Sequence, residues 1–164
     1  MSEPRFTFIT GPRDAGKTST IRRLADELLG AGRRVGGVIA EARLREGVKE
    51  SYTFVDVATG ERCLYAVWRG NESPGYRFLD EGLAFGCAAV RKATAAGVDA
   101  LFVDEMGPFE MAGNGLWEPV REAVAAGVPG VFLTVRPGLL AQCISRLAVP
   151  AGELAVIRLP AESG

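Results

Sequence analysis

The sequence predicts a protein of the α/β class, built on a mainly parallel β-sheet with helices on its faces. Short β-rich runs alternate with longer segments whose apolar residues recur at helical spacing. Hydrophobic residues make up 48% of the chain and charged residues 24%, as in ordinary globular proteins. The length of 164 residues corresponds to about one domain, so we expect residues 1–164 to form a single domain.

The first strand and helix are separated by a glycine-rich turn. Arg5–Thr10 is rich in aromatic and β-branched residues and stops at Gly11 and Pro12, which predicts a strand. A helix is predicted from about Lys17, with an apolar face formed by Ile21, Leu24 and Leu28. Arg33–Ala42 is the second predicted strand.

Residues 44–70 interrupt the alternation of strands and helices. Two β-rich runs, Tyr52–Val57 and Arg62–Trp68, flank a four-residue loop in which Gly60 can adopt positive φ. This pattern predicts a β-hairpin inserted on or beside the sheet. Its aromatic residues could form a platform for a base or a partner, but packing against the sheet is favoured; they are Phe54, Tyr65 and Trp68.

The second half returns to the alternating pattern. A helix is predicted over Glu81–Ala96, and the nearly uniform apolar run before Asp104 is typical of a strand covered on both faces. The remaining predicted elements are a loop rich in Gly and Met, a helix near 116–126, a strand Val128–Val135, a helix opening at Pro137 and a last strand Glu153–Leu159.

Charge and residue usage exclude several classes of function. The 19 basic and 20 acidic residues leave a net charge of −1, which argues against nucleic acid or an anionic membrane as partner. The chain has no histidine, so Ser-His and Cys-His nucleophile arrangements are excluded and acid-base chemistry must use carboxylates.

Cysteine spacing and hydropathy indicate a cytoplasmic protein. Cys63, Cys87 and Cys143 lack metal or disulfide spacing, and we interpret them as reduced, mostly buried thiols. No signal-peptide pattern and no run of about 18 apolar residues is seen. We therefore expect a soluble, cytoplasmic protein without a membrane partner; the sequence does not identify a protein partner.

The strongest motif is a phosphate-binding loop between the first strand and the first helix. Gly11-Pro12-Arg13-Asp14-Ala15-Gly16-Lys17-Thr18 fits the Walker A pattern Gly-x4-Gly-Lys-[Ser/Thr]. Such a loop turns backbone N–H groups and a helix N-terminus toward an anion. We expect residues 11–19, from Gly11 to Ser19, to bind a nucleoside triphosphate, with Lys17 on the β and γ oxygens and Thr18 on Mg²⁺.

Asp14 is unusual inside such a loop, because a carboxylate repels phosphates. We expect Asp14 to adopt a left-handed conformation, with its side chain turned to solvent or to a neighbouring arginine.

The acidic pair after the third core strand supplies the second half of the predicted site. An apolar strand that ends in Asp is the usual Walker B element, which makes Asp104 the carboxylate on the magnesium side. Glu105 is the best candidate to orient or activate a water molecule, since no histidine is available. Glu110 is a weaker candidate for that role.

A further cation is expected near the transferred phosphoryl group, because negative charge develops on its oxygens. Arg136 follows the fourth core strand and Arg13 lies in the loop, so both are candidates.

The Walker B segment and its surroundings resemble a small family of P-loop enzymes. Val103-Asp104-Glu105-Met106-Gly107-Pro108-Phe109-Glu110-Met111 is similar to the corresponding segment of the THEP-type nucleoside-triphosphatases. The resemblance extends to Gly36–Arg43 and to Gly75–Phe78, and covers most of residues 5–135. Where the family commonly has Gly, this chain has Asp14.

The resemblance implies a three-layer α/β/α P-loop fold and Mg²⁺-dependent hydrolysis of several ribonucleoside triphosphates to diphosphate and phosphate. By position, residues 11–18 would bind the phosphates, Asp104 would hold the metal and Glu105 would orient the water. Lys17 and Glu105 are then the catalytic residues, and Thr18 and Asp104 the metal ligands.

Two other functions stay open. A small nucleotide or nucleoside kinase would use the same phosphate loop, but it usually has an arginine-rich lid, and no such segment follows the third core strand. A nucleotide-dependent switch or assembly factor with slow turnover would present the hairpin to a partner.

Overall fold

The computed structural model describes residues 3–161, which form an α/β sandwich around one mixed sheet. Within this range the sheet has eight strands, in the order β5-β4-β3-β2-β6-β7-β1-β8. The strands are β1 (Phe6–Thr10), β2 (Val35–Arg45), β3 (Val48–Asp56), β4 (Arg62–Trp68), β5 (Tyr76–Phe78), β6 (Ala100–Met106), β7 (Gly130–Val135) and β8 (Leu154–Arg158). The helices are α1 (Lys17–Gly30), α2 (Asp80–Ala96), α3 (Pro108–Met111), α4 (Trp117–Ala125) and α5 (Pro137–Arg146), with a short 3-10 turn at Ala151–Glu153.

The parallel half of the sheet follows the predicted βα alternation. Strands β2, β6, β7, β1 and β8 are parallel neighbours, while β2 to β5 form an antiparallel meander. The predicted α/β class, the mainly parallel core and the inserted hairpin β3–β4 are confirmed. The predicted three layers are present too, since α1 covers one face of the sheet and α2, α4 and α5 cover the other.

Adjacent residues of each central strand point to opposite faces of the sheet, and each face is covered by a hydrophobic core. This explains why the central strands are continuously apolar. Ile9 and Phe102 pack with Ile21 of α1, whereas Phe8 and Leu101 belong to the core beneath α2 and α4. All of these side chains are fully buried. The stacked layers hold the C-terminal ends of β1, β6 and β7 at one edge of the sheet, where the predicted site residues lie.

The antiparallel region is larger than the sequence predicts. Strand β2 runs to Arg45 and turns through Glu46 and Gly47, both at positive φ, directly into β3. This segment is charged and exposed, so its sequence lacks the apolar alternation that identifies a strand. The short edge strand β5 was also not predicted.

Two smaller differences concern a helix and the thiols. Residues 108–111, predicted as loop, form the one-turn helix α3, which begins at Pro108, a residue suited to the first helical position. Cys143 is buried, but Cys63 and Cys87 are only half-buried, so the expectation of mostly buried thiols is wrong for these two.

Gly37 shows why β2 and β6 can approach so closely. Its φ is +114°, and a Cβ at this position would lie 1.9 Å from the carbonyl oxygen of Phe102. A side chain here would therefore force the two strands apart. The glycine keeps β2 beside the strand that carries Asp104.

Candidate functional site

The predicted phosphate loop connects β1 to α1 at the C-terminal edge of the sheet. Gly16 adopts a left-handed conformation, with φ of 92°, immediately before the first residue of α1. Among residues 3–161 no side chain caps this end of the helix, so its first N–H groups can face an anion. The backbone thus has the form expected of a phosphate cradle.

Lys17 folds back over the loop. Its ammonium group donates hydrogen bonds to the carbonyl oxygens of Gly11 at 2.7 Å and Pro12 at 3.0 Å. Burial lowers the pKa of Lys17, an effect that the nearby Glu105 carboxylate opposes. The cation therefore lies at the loop, restrained by weak acceptors that stronger anionic oxygens could replace.

Asp104 is the buried centre of the site. Its side chain has no exposed surface, and it accepts hydrogen bonds from the Thr18 hydroxyl at 2.8 Å, the Ala40 N–H at 3.0 Å and the Thr134 hydroxyl at 2.6 Å. Burial and the neighbouring Glu105 raise the pKa of Asp104 to about 6, against these hydrogen bonds. The carboxylate thereby links the start of α1 to three strands.

Thr134 is a site residue that the sequence analysis missed. Besides donating to Asp104, its hydroxyl accepts a hydrogen bond of 2.7 Å from the backbone N–H of Glu105. One side chain of β7 thus holds both members of the acidic pair. A polar residue near the end of an otherwise apolar strand is the signal that could have identified it.

Glu105 lies at an irregularity in β6. Its φ is +70°, which is uncommon for a residue with a side chain, and the pairing of β6 with β7 shifts register between Val103 and Met106. Asp104 points into the protein, whereas Glu105 lines the open cleft beside the phosphate loop. Backbone strain of this kind is typical of functional positions.

The cleft has a volume of about 800 Å³ and runs from the phosphate loop to the antiparallel meander. Arg13, Lys17, Lys49 and Arg136 line it, as does Glu105. Both candidate arginines therefore line the same cavity as Glu105. Neither forms a salt bridge within residues 3–161.

Asp14 adopts the predicted left-handed conformation, with φ of 62°. Its carboxylate pairs with Lys49 of β3 at 2.8 Å instead of an arginine. This ion pair lowers the pKa of Asp14. Lys49 lies within residues 44–70 but before the two β-rich runs that predicted the hairpin, so no local pattern placed it beside the phosphate loop.

Glu110 is turned away from the cleft. It is 8% exposed, and its carboxylate accepts hydrogen bonds from the backbone N–H groups of Gly107 at 3.0 Å and Leu116 at 3.4 Å. Burial raises the pKa of Glu110. Its contacts stabilise the segment around α3, and they disfavour the weaker water-orienting role considered for it.

The aromatic residues of the hairpin divide into two groups. Phe54 and Tyr65 are buried and stack with ring centroids 3.7 Å apart, as packing against the sheet predicts. Trp68 is half-buried and lines the cleft with Tyr52 and Tyr76.

The oxygen donors at the site fit a magnesium ion better than a softer metal. The Thr18 hydroxyl and the Asp104 carboxylate are hard ligands. No group of three or more His, Cys, Asp or Glu residues within residues 3–161 could hold a metal by itself. Mg²⁺ commonly binds through one or two protein oxygens together with phosphates and water, so the donor set suits it.

No helix in the described part of the chain has both the length and the apolar character needed to cross a membrane.

The amino-acid sequence matches one family model and several known proteins. Residues 7–145 match the family model described as a protein of unknown function, DUF2478. Nucleoside-triphosphatase THEP1 of Thermococcus kodakarensis is 33% identical over 129 residues, which cover 74% of this chain and 71% of that protein. Its counterpart in Methanothermobacter thermautotrophicus is 32% identical over 127 residues, with coverage of 74% and 71%.

Two solved structures share the fold. The solution structure of a human cancer-related nucleoside triphosphatase has a TM-score of 0.72 at 19% identity, covering 96% of this chain and 90% of that one. The crystal structure of THEP1 from Aquifex aeolicus has a TM-score of 0.72 at 16% identity, covering 95% and 90%. By its sequence matches, the chain belongs to the DUF2478 family and to the THEP1 nucleoside-triphosphatase family.

Proposed function

We propose that this protein is a Mg²⁺-dependent nucleoside-triphosphatase that hydrolyses ATP, GTP and other ribonucleoside triphosphates to diphosphate and phosphate. One observation carries the proposal: the Thr18 hydroxyl, at the start of α1, donates a hydrogen bond of 2.8 Å to Asp104, at the end of β6. This contact joins the phosphate loop to the acidic pair. The names of the relatives from Thermococcus kodakarensis and Methanothermobacter thermautotrophicus support the same activity.

The phosphate loop would bind the triphosphate through its main chain. Residues 11–19 and the N-terminus of α1 offer N–H groups, and the positive end of the helix dipole favours an anion there. Lys17 would leave the carbonyl oxygens of Gly11 and Pro12 for the β and γ oxygens of the substrate, which are stronger acceptors.

Thr18 and Asp104 would hold the metal, with Asp104 acting directly or through water. When bound, Mg²⁺ would supply positive charge that neutralises the phosphate oxygens. The hydrogen bonds from Ala40 and Thr134 keep the Asp104 carboxylate oriented toward Thr18.

Glu105 would position the attacking water. The water oxygen bonds to the γ-phosphorus, the bond from that phosphorus to the β,γ-bridging oxygen breaks, and the water proton passes to the Glu105 carboxylate. The hydrogen bond from the Glu105 N–H to the Thr134 hydroxyl holds the backbone of Glu105 in place. Arg13 and Arg136 line the same cleft and could stabilise charge on the transferred group.

Phosphate release from ATP, GTP, CTP and UTP, measured with magnesium and without any added acceptor, tests the proposal. We expect equal amounts of diphosphate and phosphate, with turnover abolished in Lys17→Ala. Lys92→Ala is a matched control, because Lys92 is an exposed residue of α2 outside the cleft. Hydrolysis that persists in Lys17→Ala would refute the assignment of the loop.

A further inference from the structure

The cleft extends beyond the predicted phosphate site to three aromatic side chains. Tyr76 lies at the centre of this group, with its ring centroid 5.2 Å from that of Tyr52 and 5.3 Å from that of Trp68. Both pairs meet edge to face. We call these three residues, which line the cleft on β3, β4 and β5, the aromatic end.

Tyr52 and Tyr76 pack against the main core, but none of the three rings is fully buried. All three are half-buried, in contrast to Phe54 and Tyr65, which are buried and stacked on each other. The Tyr76 hydroxyl donates a hydrogen bond of 2.8 Å to the carbonyl oxygen of Lys49, which fixes its ring. The aromatic end therefore presents rigid ring surface to the cavity.

Which ligand the aromatic end could bind depends on where it lies relative to the phosphate loop. In the sheet, β2 to β5 lie on one side of β6, whereas β1 and β8 lie on the other. No residue of β8 lines the cleft, which instead passes Glu105 on its way to Tyr52, Trp68 and Tyr76.

A triphosphate in a P-loop has its γ-phosphate beside the metal-side acids and its α-phosphate toward the other end of the loop. The nucleoside of a bound triphosphate would thus leave the loop away from Asp104 and Glu105. The aromatic end lies on the γ side, so it would be free for another molecule.

We propose that the aromatic end binds the planar heteroaromatic ring of a second substrate of nucleoside type, and that a hydroxyl of this molecule accepts the γ-phosphoryl group. Aromatic side chains bind such rings by stacking, with little dependence on which base is present. A cleft of about 800 Å³ is large enough for a small ligand next to the phosphate chain. The proposal rests on the proposed function, because it uses the same bound triphosphate.

In the transfer, the acceptor hydroxyl takes the place of water. Its oxygen bonds to the γ-phosphorus, the bond to the β,γ-bridging oxygen breaks, and its proton passes to Glu105. The products are a nucleoside diphosphate and a phosphate monoester. Hydrolysis is then the reaction that occurs when no acceptor is bound and water occupies the position of its hydroxyl beside Glu105.

Calorimetry on the full chain, preloaded with magnesium and the non-hydrolysable analogue AMP-PNP, tests the binding step. Adenosine, guanosine, cytidine and uridine are titrated separately, with ribose as the control that lacks a ring. We expect at least one nucleoside to bind to the preloaded protein, while ribose does not. Transfer is then measured with γ-labelled ATP and that nucleoside.

Two leucine variants localise the site. Trp68→Leu removes a ring that lines the cleft, whereas Phe78→Leu removes an exposed ring on β5 that stacks on Phe109 outside the cleft. We expect Trp68→Leu to weaken nucleoside binding about tenfold or more, and Phe78→Leu to leave it unchanged. Circular dichroism and AMP-PNP binding verify that each variant is folded.

Three results would overturn the proposal. The protein could bind AMP-PNP but none of the four nucleosides. A nucleoside could bind to the nucleotide-free protein and be lost once AMP-PNP is present, or it could bind to the preloaded protein without giving labelled monophosphate as product. In each case the hydrolase assignment would stand. If AMP-PNP itself does not bind, the proposed function fails as well, so the two failures are distinguishable.

Discussion

The Thr134 hydroxyl donates a hydrogen bond of 2.6 Å to the Asp104 carboxylate and accepts one of 2.7 Å from the N–H of Glu105. Glu105 has left-handed backbone geometry, so its side chain faces the cleft while Asp104 stays inside the protein. Two adjacent carboxylates thus have different environments, one suited to holding a metal and one to meeting water. Thr134 is the residue that positions both.

Thr134→Val should therefore lower stability and turnover together. Valine has a similar shape but leaves the Glu105 N–H without its acceptor and removes one of the three donors to Asp104, the other two being the Thr18 hydroxyl and the Ala40 N–H. We expect a loss of about 2–3 kcal/mol in the free energy of unfolding, measured with urea, and a fall in kcat of about tenfold or more. Thr134→Ser keeps the hydroxyl and should restore most of both. A valine variant with normal stability and kcat would contradict the positioning role.

Glu105→Gln should separate binding from chemistry. Glutamine keeps the size of the side chain but cannot accept the water proton, so we expect kcat to fall by about 10² or more, while the affinity for Mg-ATP stays within about threefold. Glu118→Gln, an exposed position on α4, is the matched control. Turnover near that of the unmodified protein would assign the water-orienting role to another group.

Asp104 should make the stability of the nucleotide-free and metal-free protein depend on pH. Its pKa is about 6 in the folded protein, against an ordinary value of 3.8. Between these values the folded state binds more protons, so the stability that Asp104 contributes at low pH is lost as the pH rises through 6.

Asp104→Asn should remove this dependence. The informative quantity is the free energy of unfolding of the variant minus that of the unmodified protein. The other carboxylates are common to both proteins, so this difference reports the contribution of Asp104. We expect this difference to rise by about 2 kcal/mol between pH 4.5 and pH 8. A difference independent of pH would show that Asp104 titrates normally.

Asp14→Asn should tighten triphosphate binding. Asn tolerates the left-handed conformation but carries no charge, and the change also frees Lys49 from its ion pair. We expect KM to fall about two- to fivefold, with the effect shrinking at high salt because Asp14 is exposed. Asp26→Asn, on the outer surface of α1, removes the same charge away from the loop and serves as control. An unchanged KM would mean that the Asp14 carboxylate does not act on the phosphates.

The features that sequence predicted are those encoded within a few consecutive residues. The phosphate loop needs only its glycine spacing and the following helix, and Asp104 needs only the apolar strand before it. The alternation of strands and helices was sufficient for the parallel core, because each central strand is apolar on both faces.

The features that were missed depend on pairing between distant segments. Thr134 reaches Asp104 because β6 and β7 are neighbours with a register shift after Val103. Asp14 pairs with Lys49 because β3 begins at Val48, before the apolar pattern that predicted it, and its first residues lie beside the phosphate loop. The aromatic end likewise forms only when the meander places β3, β4 and β5 side by side. No local motif carries that information.

A crystal structure of the protein with Mg²⁺ and AMP-PNP tests the central claim most directly. The account predicts the β- and γ-phosphates against the N–H groups of residues 11–19, Lys17 moved onto their oxygens, and the metal beside Thr18 and Asp104. Well-ordered nucleotide elsewhere on the protein, with Lys17 still bonded to Gly11 and Pro12, would contradict it.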